Sequence, residues 1–416
     1  MTKAEIERRR LPVARVGGFA AVFIMVCVAG VAQSFGRFAF GVVLPAVRDD
    51  LGLSNTVAGT LTTVNVGAYL IGTFAVAWAT GRYKLLDVMR IGFAFALVGL
   101  GLTAIAPNAA VVAVAMFCSG FGGALTWIPA PVVATDAVAP ERRSMVIALM
   151  GTGMGSAVVL ASQLSSWVRS SRGDGDWRLV YVILFAIGAV VLVAATLLIG
   201  HDQDKPRGGG GIGGFTALKR MPGWLPLTAA YTAFGLMYLL VLAFLTTKLE
   251  DDNGWTSSRA SLAFTLVGIA MIFGGPVFIA LGERIGARLG LTTAFVGWSI
   301  TVVAMLPGWS SVTLPAAFLT GMLFAGIPTM ITLYVVRNTS VEDYGPAFSA
   351  ATLAFGLSQM ISPQLGGAIA DLAGSFTPVF IFSAALAVVG AIAALQLAKP
   401  GASQTVGATD PAGVDC

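Results

Sequence analysis

Twelve long apolar stretches run the length of this chain, separated only by short polar segments or by Gly and Pro. Crossing the hydrocarbon core of a bilayer once takes about 20 apolar residues, and inside lipid each backbone N–H and C=O must find its partner within the span. A chain patterned in this way folds as a bundle of membrane-crossing helices. The spans are expected near residues 17–46, 56–80, 88–106, 109–135, 144–168, 178–200, 225–248, 258–281, 289–306, 312–336, 346–371 and 376–398. They consume most of the 416 residues, and the longest pieces left over are the two ends and one mid-chain loop of about 24 residues. With 56% hydrophobic and 11% charged residues, the composition leaves no place for a soluble catalytic domain.

The 25 Lys and Arg outnumber the 20 Asp and Glu, for a net charge of +5. In a soluble chain that excess would point to nucleic acid. Here it sorts with topology, because Lys and Arg collect in cytoplasmic loops. With the N-terminus inside, 18 of these side chains fall in cytoplasmic segments, and six (Arg48, Arg169, Arg172, Arg178, Lys248 and Arg259) face the other side. A multi-pass inner-membrane protein with both termini in the cytoplasm is therefore expected, and no nucleic-acid partner. Lys3 and Arg8 to Arg10 could open a cleaved signal peptide, but the apolar run continues past Ala32 to Pro45, so an uncleaved first span is the better reading. Cys27 and Cys118 lie in apolar spans and Cys416 ends a tail, which gives neither a disulfide framework nor metal-type spacing. No metal or cofactor is expected. His201, the single histidine, falls in a loop, and without an acid pair or a nucleophile set the chain carries no enzyme signature.

The charged, Gly-rich run from His201 to Trp224 divides the chain into residues 1–200 and 225–416, two six-helix bundles joined by a cytoplasmic linker at 201–224. The halves echo each other. FGRFAFGVVLPAVRDDLGLS begins at Phe35 in span one, and FGLMYLLVLAFLTTKLEDDNGWTSS begins at Phe234 in span seven. Phe-Gly opens both runs and Asp-Asp is found near the end of each. Duplicated six-span halves around a midplane site are a transporter architecture.

The loop after span eight, Leu281-Gly282-Glu283-Arg284-Ile285-Gly286-Ala287-Arg288, resembles the Leu-x-Asp-Arg-x-Gly-x-Arg signature of the major facilitator superfamily. The resemblance covers about Val16 to Ala398. It implies two pseudo-symmetric bundles that rock around a central site lined by spans one, two, four, five, seven, eight, ten and eleven. It also implies that Glu283, Arg284 and Arg288 form a conformational latch; the other reading of these three is a solvated turn. The first-half copy departs from the signature, with Trp78 and Ala79 standing where Asp and Arg would be. Gly36-Arg37-Phe38-Ala39-Phe40, then Leu44-Pro45 and Asp50-Leu51-Gly52-Leu53-Ser54, is similar to the opening of the YbfB/YjiJ-like branch. The same run resembles anion:cation symporters, except that Gly36 replaces their acid. That resemblance implies an anion-binding arginine without one proposed proton carrier.

Arg37 is the sharpest single feature, because every other Lys and Arg can be placed in a loop or at a span end. A charge inside a span costs about 2.5 to 3.5 kcal/mol on insertion scales, so something must compensate. Gln33 lies four residues earlier on the same helical face, and Phe40, Gly41 and Leu44 continue that stripe. No carboxylate sits at mid-membrane; Asp136 and Asp371 are arguable, each at a span end. An unpaired guanidinium invites an anionic ligand, since its planar donors grip a carboxylate in bidentate fashion. The alternative is that Arg37 bonds helix carbonyls or Gln and Asn side chains and only holds helices together. Asn65 and Tyr69 share a face of span two, and Trp127, Tyr231, Tyr238 and Gln359 are further candidate substrate contacts, each of which could equally be interhelical glue. The aromatic members suit an apolar or aromatic body attached to a carboxylate.

Together these readings describe an all-α, twelve-span secondary transporter, acting as a monomer in the lipid bilayer. Its substrate is expected to be a small organic anion, a monocarboxylate in particular, and proton-coupled symport stays open. Drug or metabolite efflux is the rival within the class; a membrane sensor without net transport is the rival outside it.

Overall fold

A computed structural model describes residues 18–136, 138, 139, 142–199 and 214–398, and its regular elements are all helices. The basic N-terminal segment up to Arg15, the run from His201 to Gly213, Lys399 and the tail with Cys416 lie outside the described residues, as does the side chain of Asp136. Among the described residues nine helical stretches are long and apolar enough to cross a membrane, and one of them, Ser257–Met305, holds both span eight and span nine. Arg143–Arg172 and Val341–Ala373 supply spans five and eleven, so the twelve expected spans are present.

Short polar residues at the span starts fix where helices begin. Ser54, Asn108, Thr256 and Ser340 each accept a hydrogen bond from a backbone N–H of the first turn, at 3.2, 3.1, 3.4 and 3.1 Å. Three boundaries differ from expectation. Spans eight and nine are not separated by a seven-residue loop: helix runs on either side of Gly286 alone, whose φ of 84° only glycine adopts without strain. Part of the expected linker is ordered as the short helix Phe215–Arg220, with Ala217 and Leu218 buried. Span seven is broken at Ala243 and Phe244, between Trp224–Leu242 and Leu245–Asp251.

The two halves meet mainly through two crossings, span five on span eight and span two on span eleven. Both rely on absent side chains. A Cβ on Gly155 would sit 2.6 Å from the Gly268 carbonyl oxygen, and one on Gly59 would run into the carbonyl of Pro363. Small residues at such crossings let helix backbones approach closely where lipid supplies no hydrophobic drive. At the end bearing Asp251, charged groups join the halves. Arg48 pairs with Asp251, Arg169 holds Glu250 through two bonds of 2.8 and 2.7 Å, and Asp371 accepts from the backbone N–H groups of Asn55 and Thr56 at 3.0 and 2.7 Å. Among the described residues, the ion pairs between the halves all lie at this end.

Candidate functional site

Span one is not one continuous α-helix. Gly18–Gly30 is followed by a π-helical turn at Val31–Phe35, and α-helix resumes only at Phe38–Leu51. Such π-turns recur at functional sites because they turn side chains out of the regular helical phase. Arg37 occupies the position just before the second half-helix, where the positive end of that helix's dipole adds to the guanidinium charge. Broken membrane helices at a midplane site are how several transporter folds present charge to substrate.

Three neighbouring elements hold the arginine. Its Nε donates to Asn65 Oδ1 at 3.4 Å, and Asn65 is itself oriented by donating through Nδ2 to the Met116 carbonyl at 3.0 Å. The guanidinium carbon lies 4.9 Å from the centre of the Tyr69 ring, within cation–π range. The Tyr69 hydroxyl accepts from Gln33 Nε2 at 3.3 Å. Span four closes the back of the cleft at Ser119, Gly120 and Gly123; a Cβ on Gly36 would come within 2.8 Å of the Ser119 side chain. The space among these groups is too narrow to hold a water molecule.

What the cleft lacks is an acid. Among the described residues no Asp or Glu lines it, and Arg37 forms no ion pair. Arg37 Nη2 is buried without a hydrogen-bond partner, and so is the Ser119 hydroxyl on the opposite wall. Unsatisfied buried donors are rare in native proteins and call for an explanation.

The second half comes up to Arg37 beside this cleft, whose lining residues all belong to the first half. Tyr238 donates to Gln359 Oε1 at 2.6 Å, tying span seven to span eleven, and its hydroxyl is close enough to Arg37 to interact with the guanidinium. Tyr231 stacks on Phe355 with ring centres 4.6 Å apart. Thus Arg37, Gln33, Asn65 and Tyr69 assemble on one side, and Tyr231, Tyr238 and Gln359 on the other.

Five expected contacts do not line the cleft: Tyr231, Tyr238 and Gln359 lie beside it in the second half, and Phe40 and Trp127 lie elsewhere in the first. Phe40 is buried, 1% exposed, in the core and not among the lining residues. The π-turn and the break at Gly36 and Arg37 shift the helical phase, so the stripe that a regular helix would run from Gln33 through Phe40 is interrupted. Phe38 is the ring that meets the second half instead, edge-on to Phe324 at 5.9 Å. Trp127 ends the helix Ala109–Trp127 just before Pro129 and also does not line the cleft. Ser119, Phe324 and Phe355 join the neighbourhood without having been singled out from sequence as contacts; an apolar ring or a serine in an apolar span carries no local signal of its role. In the presumptive latch, Glu283 and Arg284 are exposed, while Arg288 is half-buried and donates to the Leu395 carbonyl.

The comparisons with known proteins agree with this architecture. The family model described as "Uncharacterised MFS-type transporter YbfB" matches residues 28–395. The chain is 24% identical over 383 residues to the Bacillus subtilis (strain 168) protein called "Uncharacterized MFS-type transporter YfhI", a match covering 89% of this chain and 91% of that one. It is 22% identical over 345 residues to "Uncharacterized MFS-type transporter YceJ" of the same organism, over 81% and 80% of the two chains. Among solved structures, the nucleoside transporter NupG superposes with a TM-score of 0.75 at 13% identity, covering 92% of this chain and all of that one (100%); at that identity the likeness is one of fold. Two broken-helix halves with a central cleft, and a family match spanning nearly all twelve spans, lead to one assignment: the chain belongs to the major facilitator superfamily of multi-pass membrane transporters, in its YbfB-type branch.

Proposed function

We propose that the protein moves a small organic anion, a monocarboxylate in particular, across the inner membrane by alternating access around Arg37. The observation that carries this reading is the buried Arg37 Nη2, which has no partner in a cleft without a carboxylate. A carboxylate would take that donor and face the Ser119 hydroxyl across the same cleft, satisfying two orphaned groups at once. If Arg37 served only to hold helices together, its donors would be spent on carbonyls and amides; one long bond to Asn65 leaves Nη2 without a partner. The excess of Lys and Arg at the Arg284 end makes that end cytoplasmic, with both termini inside. The Asp251 end then faces outward and is the closed one. Among the described residues no Asp or Glu lines the cleft, so a proton would enter on the substrate or through a rim acid such as Asp136.

The test is a binding series on the purified protein. Arg37→Lys keeps the charge but loses the planar fork, and Arg37→Ala removes both. Losing a charge-assisted bond costs about 1.5 to 3 kcal/mol, so affinity for a bound acid is expected to fall roughly 10- to 150-fold, and the methyl ester of that acid should not bind to the unaltered protein. An ester that binds as tightly as its acid, or an Arg37→Ala protein that transports as well as the parent, would sink the anion reading.

A further inference from the structure

The part of the second half that meets the Arg37 segment is built of rings. Tyr231, Phe234, Tyr238 and Phe355 lie nearly parallel: Tyr238 on Phe234 at 5.1 Å and 22°, Phe234 against Phe355 at 5.6 Å and 12°, Tyr231 on Phe355 at 4.6 Å and 20°. Phe324 leans onto Tyr238 at 5.3 Å. The sequence places Tyr231, Phe234 and Tyr238 on one face of span seven, at i, i+3 and i+7. Phe355 from span eleven and Phe324 from span ten complete the group, and both are only half-buried. Ring pairs at these separations contribute beyond the area they bury.

This slab adjoins the arginine directly. Tyr238 at its edge interacts with Arg37, and Phe38, the residue after Arg37, meets Phe324 edge-on at 83°. Polar groups on this wall are few, and the Tyr238 hydroxyl proton is already given to Gln359 Oε1 at 2.6 Å. A polyhydroxylated or doubly charged ligand would find too few partners here, and burying its polar groups unpaired is costly. A short aliphatic acid would satisfy Arg37 and leave the rings without a counterpart.

We infer that the anion held by Arg37 carries a flat aromatic body, which lies against the ring slab of Tyr231, Phe234, Tyr238, Phe324 and Phe355 in place of the Phe38–Phe324 contact. The inference rests on the anion reading of Arg37 and adds the class of substrate: an aryl monocarboxylate. It also divides recognition between the halves, with the charge read by spans one and two and the body by spans seven, ten and eleven.

Calorimetric titration of the full-length protein in lipid nanodiscs tests it with benzoate, phenylacetate, cyclohexanecarboxylate and benzyl alcohol. Benzoate and phenylacetate should bind about 2- to 12-fold more tightly than cyclohexanecarboxylate, which matches benzoate in carbon number but has no π face. Phe355→Leu and, separately, Phe324→Leu should erase that preference, and Arg37→Lys should weaken all three acids. Equal affinities for benzoate and cyclohexanecarboxylate, both dependent on Arg37, would overturn the aryl inference and leave the anion site standing. Benzyl alcohol binding as tightly as benzoate would overturn the anion reading, and no binding of any acid would overturn both. The comparison of ligands on the unaltered protein decides the matter even where a ring variant fails to fold.

Discussion

The contact between Arg169 and Glu250 offers a direct handle on the closed Asp251 end. Arg169 comes from the last turn of span five and Glu250 from the short helix that ends span seven, so the pair exists only while the halves are together at this end. Arg169 Nη1 donates to Glu250 Oε1 and Nη2 to Oε2, and the arginine side chain is 1% exposed and the glutamate 13%. Glu250→Gln keeps the shape, removes the charge and turns an amide N–H₂ toward an arginine donor. Asp174 still holds Arg169 Nε at 2.6 Å, which limits the damage. The loss is then that of a charge-assisted bond, about 1.5 to 3 kcal/mol, and it falls on the closed state alone. The closed-to-open ratio should drop roughly 10- to 150-fold. Spin labels at Arg172→Cys and Leu372→Cys, in a background with Cys27, Cys118 and Cys416 replaced by Ala, report the separation of the two halves, since both positions are exposed at this end. The variant should gain a population at longer distance. Asp50→Asn is the control: it breaks the 2.7 Å pair with Arg178, which lies within the first half and should leave the distances unmoved. An unchanged distribution in Glu250→Gln, or an equal change in Asp50→Asn, would refute the assignment of this pair as a cross-half seal.

Other outcomes follow from the same geometry. Gly59→Val should open the Asp251 end in the same distance measurement without loss of secondary structure by circular dichroism, because its side chain would run into the Pro363 carbonyl only when spans two and eleven are crossed. Glu283→Ala or Arg284→Ala should slow turnover in proteoliposomes while leaving ligand affinity within about twofold, since both are exposed at the end remote from Arg37; an unchanged rate would make them a solvated turn. A tag at either terminus should be reached by impermeant reagents only after the membrane is opened, and labelling of either one on intact cells would overturn the orientation drawn from the charge bias.

The elements carried by periodicity and charge were legible in the sequence, and those carried by local breaks were not. Twelve apolar runs of sufficient length could only be spans, because lipid leaves the backbone no other way to pair its polar groups. Arg37 stood out for the same reason: a charge in an apolar run needs compensation. Phe40 illustrates where such reasoning stops. A stripe drawn through Gln33, Arg37 and Phe40 presupposes an unbroken 3.6-residue period, and the π-turn at Val31–Phe35 removes that premise. No residue in VAQSF announces it; the turn belongs to a segment packed against span five, where Ser34 donates to the Met154 carbonyl at 2.9 Å and Gly30 lies against Gly153. The ring wall is a second case. Tyr231 and Tyr238 were visible for their hydroxyls, whereas Phe324 and Phe355 are indistinguishable in sequence from any phenylalanine facing lipid, and only the crossing of spans ten and eleven onto span seven brings them to the same place.

The placement of these groups bears on how transport would couple to binding. Arg37 is anchored within the first half by Asn65 and Tyr69, and the rings are anchored within the second by the Tyr238–Gln359 bond. A ligand that touches both walls therefore shifts the balance between states only by what it gains when the walls are close, because a ligand equally bound in all states shifts nothing. The pairs of Arg48, Arg169 and Asp371 keep the Asp251 end shut. Exchange to the opposite state must then break those pairs, and the free energy to do so has to come from contacts that form as the Arg284 end closes over a bound ligand. That requirement makes the affinity of the cleft and the strength of the outer seal two sides of one equilibrium, so that weakening Glu250 should raise occupancy of the outward-open state and change the affinity measured for the same acid.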